Sequence, residues 1–413
     1  MECHNPGTIA MMAAHDMNLD KLVLRRVLHS ILRSLVWNKN DWAAEKRLAE
    51  DTRAPLAQIL PAGTDQELVE IAVRFAGMFG CAGLAGALTP QMSCEEWLEC
   101  LVAGGALGVA DVTFHSSGST GEPTACPQPL SVLWQEVGEL GRLTQDRRRL
   151  VSVVPQHHIY GFLFSVLLPA QLGVPTELLP PFPGAGLSEF LREGDLLIAF
   201  PAFWKGLASL GLRFPTGVRG VTSTGPCPPQ IIEQLRQQGL DAMMEVYGSS
   251  ETSGVGYRWD QSDAYSLFRF WQPVALQQTS PDALIRHQLN GLMAEPVMLP
   301  DEVQWLDERT FRPLRRRDQA VQVAGINVYP QYVVSCLKQH PAVEDCVVRL
   351  MRPEEGDRLK AFVVPVDPRQ ADATLRSALI DWCRQRLKSV EQPRSFTFGT
   401  QLPTQGMGKL ADW

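Results

Sequence analysis

Apolar residues in the first part of the chain recur at the spacing of amphipathic helices. Between residues 19 and 35 they stand three or four positions apart, which places them on one face of a helix. The same spacing predicts helices over residues 65–80 and 94–103, and Ser93 followed by Glu96 forms the pattern of a capping box. This region is therefore predicted to be helical, and it carries no recognisable catalytic motif.

Short apolar runs alternate with helical patterns in the middle of the chain. The expected strands cover residues 150–154, 196–200, 220–223 and 241–246. Such alternation predicts parallel strands joined by right-handed crossovers. Ligands bind such sheets beyond the carboxyl ends of the strands, where the loops gather. The candidate ligand-binding loops are therefore residues 155–161, 223–228 and 247–252.

After Asp318 the pattern becomes that of a smaller unit. Residues 343–350 and 360–365 are expected to be strands, and residues 372–388 a helix. The expected fold class is α/β, with a large N-terminal domain of parallel-rich sheets and helices and a small α+β C-terminal domain. The expected parts of the chain are an extension without regular structure at residues 1–16, a domain at 17–316 and a domain at 317–413.

Composition narrows the class of protein. The chain has 413 residues, of which 45% are hydrophobic and 20% charged, as in an ordinary soluble globular protein. Its net charge of −7 argues against general nucleic-acid binding, which needs a basic surplus. No apolar run reaches the roughly 18–20 residues of a membrane span, and the start of the chain lacks the pattern of a secretory signal. The nine cysteines contain no CxxC pair, so reduced thiols in a cytoplasmic protein are expected.

Residues 116–121 form a run of serine, threonine and glycine. Glycine lets the backbone approach an anion closely, and the hydroxyl groups add hydrogen-bond donors without bulk. The run therefore suits a polyphosphate, and a flexible surface turn is the alternative interpretation. It is not a Walker A motif, because no lysine follows Gly121.

With its surroundings, this run resembles the phosphate loop of the adenylate-forming ligases, which include acyl-CoA synthetases, peptide-synthetase adenylation domains and luciferases. The matching letters are S-S-G-S-T-G-E-P at residues 116–123, and Thr124 stands where the family usually has lysine. Further segments resemble family motifs in the same order along the chain. They are residues 155–161 (P-x-x-H-x-x-G), 247–252 (Y-G-x-T-E), 314–325 (G-R-x-D-x-x-I-K-x-x-G) and 402–409 (L-P-x-T-x-x-G-K).

The resemblance implies roles for individual residues. Lys409 and Glu251 would be catalytic, and Glu251 would also bind Mg²⁺ through its hard carboxylate oxygens. His158 and Gly225 would line the acid pocket, and Asp318 would be the hinge before a mobile C-terminal domain. The residues implied to bind the nucleotide are Ser116, Ser117, Gly118, Ser119, Thr120, Gly121, Gly225, Tyr247, Gly248, Ser250, Asp301 and Arg316.

Simpler interpretations stay open for several of these residues. His158 could be a core or loop histidine, and Asp301 an ordinary turn aspartate. The three arginines at 315–317 could be a solvated basic run, and Lys409 a solvated lysine near the chain end.

The implied activity is that of an AMP-forming acid–thiol ligase. Such an enzyme uses ATP and Mg²⁺ to convert a carboxylic acid, here expected to be aryl or medium-chain, into an acyl-adenylate with release of pyrophosphate. The acyl group then passes to a pantetheine thiol of coenzyme A or of phosphopantetheine on an acyl carrier protein. The region before the phosphate loop is shorter than in full-length ligases, so the N-terminal lobe looks trimmed. The sequence carries no signal for the oligomeric state.

Departures from the family motifs keep two other functions open. Thr124 and Gln322 replace lysines, Arg315 replaces a glycine, and the usual Thr-Gly-Asp before the ribose-binding aspartate is missing. A degenerate relative would bind nucleotide or acyl-adenylate without turnover. A different ATP enzyme, such as a kinase, would fit the phosphate loop alone and would release ADP instead of AMP.

Overall fold

The helical start of the chain forms the first layer of the protein. The computed structural model describes residues 19–60, 64–117, 123–184, 186–260, 264–274, 282–287, 295–323, 326–352, 354–405, 409–410 and 413. The expected extension of residues 1–16 lies outside them. The first helices are α1 (Lys21–Asn38), α2 (Trp42–Glu50), α3 (Leu56–Ile59), α4 (Asp65–Met78) and α5 (Cys94–Ala103). The predicted helices of this region are thus confirmed.

Local side-chain caps explain where two of these helices begin. The Asp20 carboxylate accepts a hydrogen bond from the backbone N–H of Val23 at 2.8 Å at the start of α1. At α5, Ser93 and Glu96 form the predicted capping box, with Glu96 N donating to Ser93 Oγ at 3.3 Å and Ser93 N donating to Glu96 Oε2 at 2.7 Å.

A hairpin and a long helix follow. They are β1 (Asp111–Ser117), β2 (Pro123–Pro129) and α6 (Leu130–Thr144). The two strands are antiparallel, so that Ser116 lies opposite Thr124. The hairpin therefore brings both ends of the proposed phosphate loop together at its tip.

The alternating part of the chain forms the expected parallel sheet. Its elements are β3 (Arg149–Ser152), α7 (Ile159–Phe162), α8 (Leu168–Leu172), β4 (Thr176–Leu178), α9 (Leu187–Phe190), β5 (Asp195–Ala199), α10 (Pro201–Leu210), β6 (Arg219–Thr222), α11 (Pro229–Gln237) and β7 (Ala242–Ser249). A π-helical turn at Leu163–Leu167 joins α7 to α8. The strands β4, β3, β5, β6 and β7 are neighbours in that order and pair in parallel.

Antiparallel strands extend this sheet beyond β7. The elements are β8 (Ser253–Trp259), β9 (Tyr265–Leu267), β10 (Trp271–Pro273), β11 (Ala283–Arg286), β12 (Val297–Met298), β13 (Asp301–Trp305) and β14 (Thr310–Arg316). Strands β8, β9, β14 and β13 continue the sheet, which has nine strands among the described residues. Strands β10, β11 and β12 form a small separate sheet.

The sheet is buried on both faces. Leu196 and Ile198 of β5 belong to one apolar core, which includes residues of α1, α4, α5 and α6. Leu197 and Ala199 of the same strand belong to a second core, with residues of α10 and α11. Successive side chains of a strand point to opposite faces, so helices cover the sheet from both sides.

The end of the chain forms the expected smaller α+β unit. Its elements are β15 (Val321–Val323), β16 (Ile326–Val328), α12 (Pro330–Leu337), β17 (Val343–Leu350), β18 (Leu359–Pro365), α13 (Ala373–Arg386), β19 (Ser395–Phe398), β20 (Thr404–Gln405) and β21 (Lys409–Leu410). Strand β18 pairs antiparallel with β17 and parallel with β19. Residues of both helices pack against this sheet in a core of their own. The predicted α/β fold class is confirmed.

Among the described residues, no helix combines the length and the hydropathy required to cross a membrane.

Candidate active site

The proposed phosphate loop connects the two strands of the hairpin. Ser116 and Ser117 end β1, and Ser117 lies opposite Pro123 in the register. Gly118, Ser119, Thr120 and Gly121 lie outside the described residues, so their roles stay predictions.

The turn that carries Glu251 contacts this hairpin directly. It connects β7 to β8 and holds Ser250, Glu251 and Thr252. The side-chain amide of Gln128, on β2, donates to the carbonyl oxygens of Ser250 at 2.6 Å and Glu251 at 3.1 Å. The Sγ atom of Cys126, on the same strand, lies 3.8 Å from Glu251 Oε1. The structure therefore brings together two motifs that are far apart in the sequence.

Close packing requires a glycine at the start of this turn. A Cβ atom on Gly248 would stand 2.3 Å from the carbonyl oxygen of Ser253. Within the turn, the backbone N–H groups of Ser249 and Thr252 each donate to the other residue's hydroxyl oxygen at 3.2 Å. The structure thus gives Gly248 a packing role, while its contact with nucleotide stays a prediction.

A buried carboxylate, Glu136 of α6, holds the far side of the turn. It accepts hydrogen bonds from the Ser253 hydroxyl and from the backbone N–H of Gly254, the latter at 2.8 Å. Ser253 has a φ of +61°, so these contacts stabilise a left-handed backbone at a residue other than glycine. Burial raises the pKa of Glu136, and the charge of Arg286 opposes that effect.

The residues expected to bind ribose lie on neighbouring strands. Asp301 of β13 is the cross-strand partner of Arg316 of β14. The Tyr247 hydroxyl donates to Asp301 Oδ2 at 2.5 Å. Burial, followed by the Asp301 carboxylate, raises the pKa of the Tyr247 phenol, so the phenol stays a proton donor. The three side chains therefore converge.

The guanidinium of Arg316 forms an ion pair with the carboxylate of Asp318. Arg316 Nε donates to Asp318 Oδ1 at 2.8 Å and Nη2 donates to Oδ2 at 2.6 Å, a two-point ion pair. This pair lowers the pKa of Asp318 and raises that of Arg316. Asp318 also accepts a hydrogen bond from Tyr329 at 3.2 Å and so connects β14 to the following segment.

Gly225 lies beside two buried polar atoms that lack a hydrogen-bond partner within the described part of the chain. Its loop lies between β6 and α11, and a Cβ atom at this position would stand 3.6 Å from Gln322 Oε1. Gln322 Oε1 and Thr224 Oγ1 are both buried and have no hydrogen-bond partner among the described residues. Buried polar atoms normally have partners, so this corner suits a polar ligand.

His158 lies beside a second histidine, just before α7. Its ring is 4.6 Å from that of His157, and His157 Nδ1 lies 3.3 Å from Ser30 Oγ of α1. Protein atoms crowd His158, yet the residue remains accessible to solvent. Burial and the charge of Arg74 on α4 lower the pKa of His158, so the ring is neutral at pH 7.

A close backbone approach fixes the loop that carries His158. A Cβ atom on Gly161 would stand 2.1 Å from the carbonyl oxygen of Pro155, so only glycine fits there. The P-x-x-H-x-x-G spacing therefore has a packing reason in this chain.

Lys409 belongs to β21, and its backbone pairs with that of Gln405. The position of its side chain is outside what the structure describes, so its catalytic role stays a prediction.

Sequence reasoning missed Gln128, Glu136 and Arg74. A glutamate between Leu133 and Val137 on the apolar face of a predicted helix was a detectable signal for Glu136. Gln128 and Arg74 had no such signal, because their partners are distant in the sequence.

Comparison with known proteins agrees with the motifs. Residues 112–273 match the family model of the AMP-binding enzymes, and residues 333–409 match that of the AMP-binding enzyme C-terminal domain. A 4-coumarate–CoA ligase of Halorhodospira halophila is 37% identical over 311 residues, which cover 75% of this chain and 77% of the relative. A 4-coumarate–CoA ligase of Rhodobacter capsulatus is 36% identical over 310 residues, with 74% and 76% covered.

A solved structure shows the same fold. The o-succinylbenzoate CoA synthetase of Bacillus subtilis superposes with a TM-score of 0.58 at 21% identity, covering 72% of this chain and 67% of that one. Together with the family models and the relatives, this fold shows that the chain belongs to the adenylate-forming ligases, the AMP-forming enzymes that activate a carboxylic acid with ATP and then form a thioester.

Proposed function

We propose that this ligase activates an aryl acid of the hydroxycinnamate type and transfers the acyl group to coenzyme A. The identity of 36–37% to 4-coumarate–CoA ligases supports this substrate class over a medium-chain acid. The observation that carries the mechanism is the pair of hydrogen bonds from Gln128 to the Glu251 turn, because they hold Glu251 beside the phosphate hairpin.

The reaction has two steps. A carboxylate oxygen of the acid attacks the α-phosphorus of ATP, and the bond to the β-phosphate oxygen breaks, so that pyrophosphate leaves with the electron pair. The thiol then loses its proton and attacks the acyl carbon, and the bond to AMP breaks. The first step joins two anions, so the protein must neutralise charge and align the groups. Lys409 would supply an ammonium for this purpose.

The donor set fits a magnesium ion held between protein and nucleotide. Within the described ranges there is no cluster of three or more His, Cys, Asp or Glu residues that could bind a metal by itself. A single carboxylate such as Glu251, completed by phosphate oxygens and water, is how Mg²⁺ usually binds in nucleotide sites. When bound there, the ion would neutralise charge on the phosphates.

The nucleoside would lie between Tyr247, Asp301 and Gly225. Asp301 Oδ2 already accepts from Tyr247, which leaves its other oxygen for a ribose hydroxyl. The unpartnered atoms of Thr224 and Gln322 offer a donor and an acceptor beside Gly225, where an adenine edge would satisfy them. Arg316 would contact the ribose only after its ion pair with Asp318 breaks. Such a change of partner fits a hinge at Asp318.

The acid would lie beside His158. The neutral imidazole offers an apolar ring and one hydrogen bond, both suitable for an aromatic acid. Arg74 adds a positive charge near His158, as its effect on the pKa of His158 indicates. A cation there would favour an acid that carries a hydroxyl or phenolate on its ring.

Acid-dependent exchange of pyrophosphate into ATP tests this proposal. We expect exchange with hydroxycinnamates, less with medium-chain acids and none with amino acids, together with release of AMP upon addition of coenzyme A. ATP binding without exchange for any acid would instead support the degenerate binding protein, which Thr124 and Gln322 motivate. Release of ADP would support a kinase. Thioester formation with an acyl carrier protein but not with coenzyme A would identify the carrier protein as the acceptor.

A further inference from the structure

Gln128 has an unusual position for a polar side chain. It lies on β2, immediately after the phosphate loop, and only 5% of its surface is exposed. A buried amide must find hydrogen-bond partners to offset its desolvation. Its partners are the carbonyl groups of two consecutive residues, Ser250 and Glu251, more than a hundred positions later in the sequence.

One amide group that holds two consecutive carbonyl oxygens fixes the two peptide units on either side of one Cα atom, here that of Glu251. The side-chain nitrogen has two hydrogens, so it can serve both oxygens at 2.6 and 3.1 Å. Neither the peptide between Ser250 and Glu251 nor the peptide that follows Glu251 can therefore rotate without breaking one of the two bonds. These bonds fix the backbone on both sides of the Glu251 Cα and so set the direction in which its side chain leaves the turn.

The contacts of Glu136, Ser249 and Thr252 hold other parts of the turn. Glu136 holds Ser253 and Gly254, which lie after Glu251, and the hydroxyls of Ser249 and Thr252 bond within the turn. Cys126 lies near the Glu251 carboxylate at 3.8 Å, a distance at which a thiol gives only a weak contact. Gln128 thus constrains the backbone of Glu251 from the strand that ends the phosphate loop.

We propose that Gln128 is a positioning residue that sets the Glu251 carboxylate at the right distance from the nucleotide phosphates. It touches neither substrate nor metal and acts through the backbone of Glu251. This inference rests on the proposed magnesium role of Glu251. It predicts that Gln128 determines how much better the protein binds a metal–ATP complex than ATP alone.

The test compares metal–ATP with metal-free ATP on the folded, full-length chain. Binding of Mn²⁺–ATP is measured by electron paramagnetic resonance, and binding of ATP in the presence of a chelator is measured by calorimetry. Gln128→Met removes the donor and keeps the length of the side chain. Loss of a residue that orients a metal ligand commonly costs 10–100-fold in metal affinity, so we expect the ratio of the two affinities to fall by about tenfold.

Three further variants make the result specific. Glu251→Gln removes the proposed metal ligand and gives the lowest ratio of the two affinities to be expected. Gln128→His keeps one hydrogen-bond donor and should give an intermediate ratio. Gln238→Met is the matched control, because Gln238 also donates its amide to a backbone carbonyl, that of Ala208 at 2.7 Å, on α10 away from the proposed metal. It should leave the ratio unchanged.

Three outcomes would overturn the proposal. In the first, the ratio of the two affinities in Gln128→Met stays within twofold of that in the parent protein. In the second, Gln128→Met loses affinity for Mn²⁺–ATP and for metal-free ATP equally. In the third, the ratio falls as much in Gln238→Met as in Gln128→Met. If Gln128→Met does not fold, the Gln128→His ratio decides: a value equal to that of the parent protein or of Glu251→Gln contradicts an orienting donor. No acid is present, so a failure of the proposed acid specificity would appear only in the exchange assay.

Discussion

The phenol of Tyr247 donates a hydrogen bond to the carboxylate of Asp301, and the two oxygens are 2.5 Å apart. Asp301 is also the cross-strand partner of Arg316, whose guanidinium is paired with Asp318. A fixed carboxylate next to a tyrosine is well suited to distinguish ribose from a sugar that lacks a hydroxyl group.

Asp301→Ala should weaken ATP binding by about tenfold or more, since a hydrogen bond to a charged group contributes about 1.5–3 kcal/mol. The same variant should lose most of the discrimination between ATP and its 2′-deoxy or 3′-deoxy analogues. Equilibrium binding of the three nucleotides measures this. Asp307→Ala is the control, because Asp307 accepts hydrogen bonds within the β13–β14 turn. Unchanged discrimination in Asp301→Ala would leave Asp301 a structural role only, at the start of β13.

Lys409→Ala should slow pyrophosphate exchange by about 10²–10³-fold, the usual cost of removing one group that stabilises transition-state charge. ATP binding should change much less, because the ammonium acts mainly on the attacking and leaving groups. The matched control is Lys338→Ala, whose lysine forms a surface ion pair with Asp345 at 2.7 Å. Equal activity of Lys409→Ala and the parent protein would identify Lys409 as a solvated lysine.

Thr124→Lys should accelerate pyrophosphate exchange several-fold, because it restores a positive charge next to the phosphate loop, opposite Ser116. Thr124→Met has a similar length without the charge and should not accelerate the reaction. Exchange rates at saturating acid give the comparison. If both variants behave alike, the missing loop lysine does not limit this enzyme.

Glu136→Leu should lower the free energy of unfolding by about 3 kcal/mol, because it leaves two donors and the buried Arg286 without their acceptor charge. Removing the second charge as well, in Glu136→Leu with Arg286→Leu, should recover part of that loss. Urea unfolding monitored by tryptophan fluorescence measures both. A loss below 1 kcal/mol in the single variant would mean that the turn is held by other contacts.

Stability should fall as the pH is lowered from about 6.5 to about 4, in part because of His29. Burial lowers the pKa of His29 to about 4, whereas the unfolded chain has an ordinary value near 6.5. Above pH 6.5 both states are neutral, so His29 contributes nothing. Between the two values only the unfolded state takes up the proton, which favours unfolding.

At pH 5 this contribution should be about 1 kcal/mol, after allowance for the contact that the ring keeps with solvent. His29→Gln should reduce the difference in unfolding free energy between pH 7.5 and pH 5 by that amount. His287→Gln is the comparison, because His287 is exposed and its ring contacts Gln272 at the surface. An unchanged pH dependence in His29→Gln would show that His29 is protonated in the folded state.

The sequence was sufficient to predict the first helices, the parallel strands and the motifs that follow those strands. The alternation of apolar runs predicted the parallel strands. Glycine-containing turns such as Gly161 and Gly248 leave a local signal, because only one residue type fits. Such features can be read from neighbouring letters.

The partners of these motifs could not be predicted in the same way. Gln128 meets Glu251, and Glu136 meets Ser253, because the hairpin and α6 pack against the sheet in three dimensions. Neither pair has a fixed spacing in the sequence, and one chain offers no record of correlated change. The pairing of the antiparallel strands beyond β7 was likewise not predicted, since it depends on which strand edge remains available.

The contact between Ser30 and His157 has a consequence for how acid preference could change. Ser30 Oγ also accepts a hydrogen bond from the backbone N–H of Gln156 at 2.7 Å, so α1 is fastened to the loop that carries His158. A substitution on the N-terminal helix can therefore shift the loop of His158, where we propose that the acid binds, without touching the substrate. Selection for a new acid would then act on a helix that the catalytic motifs do not include.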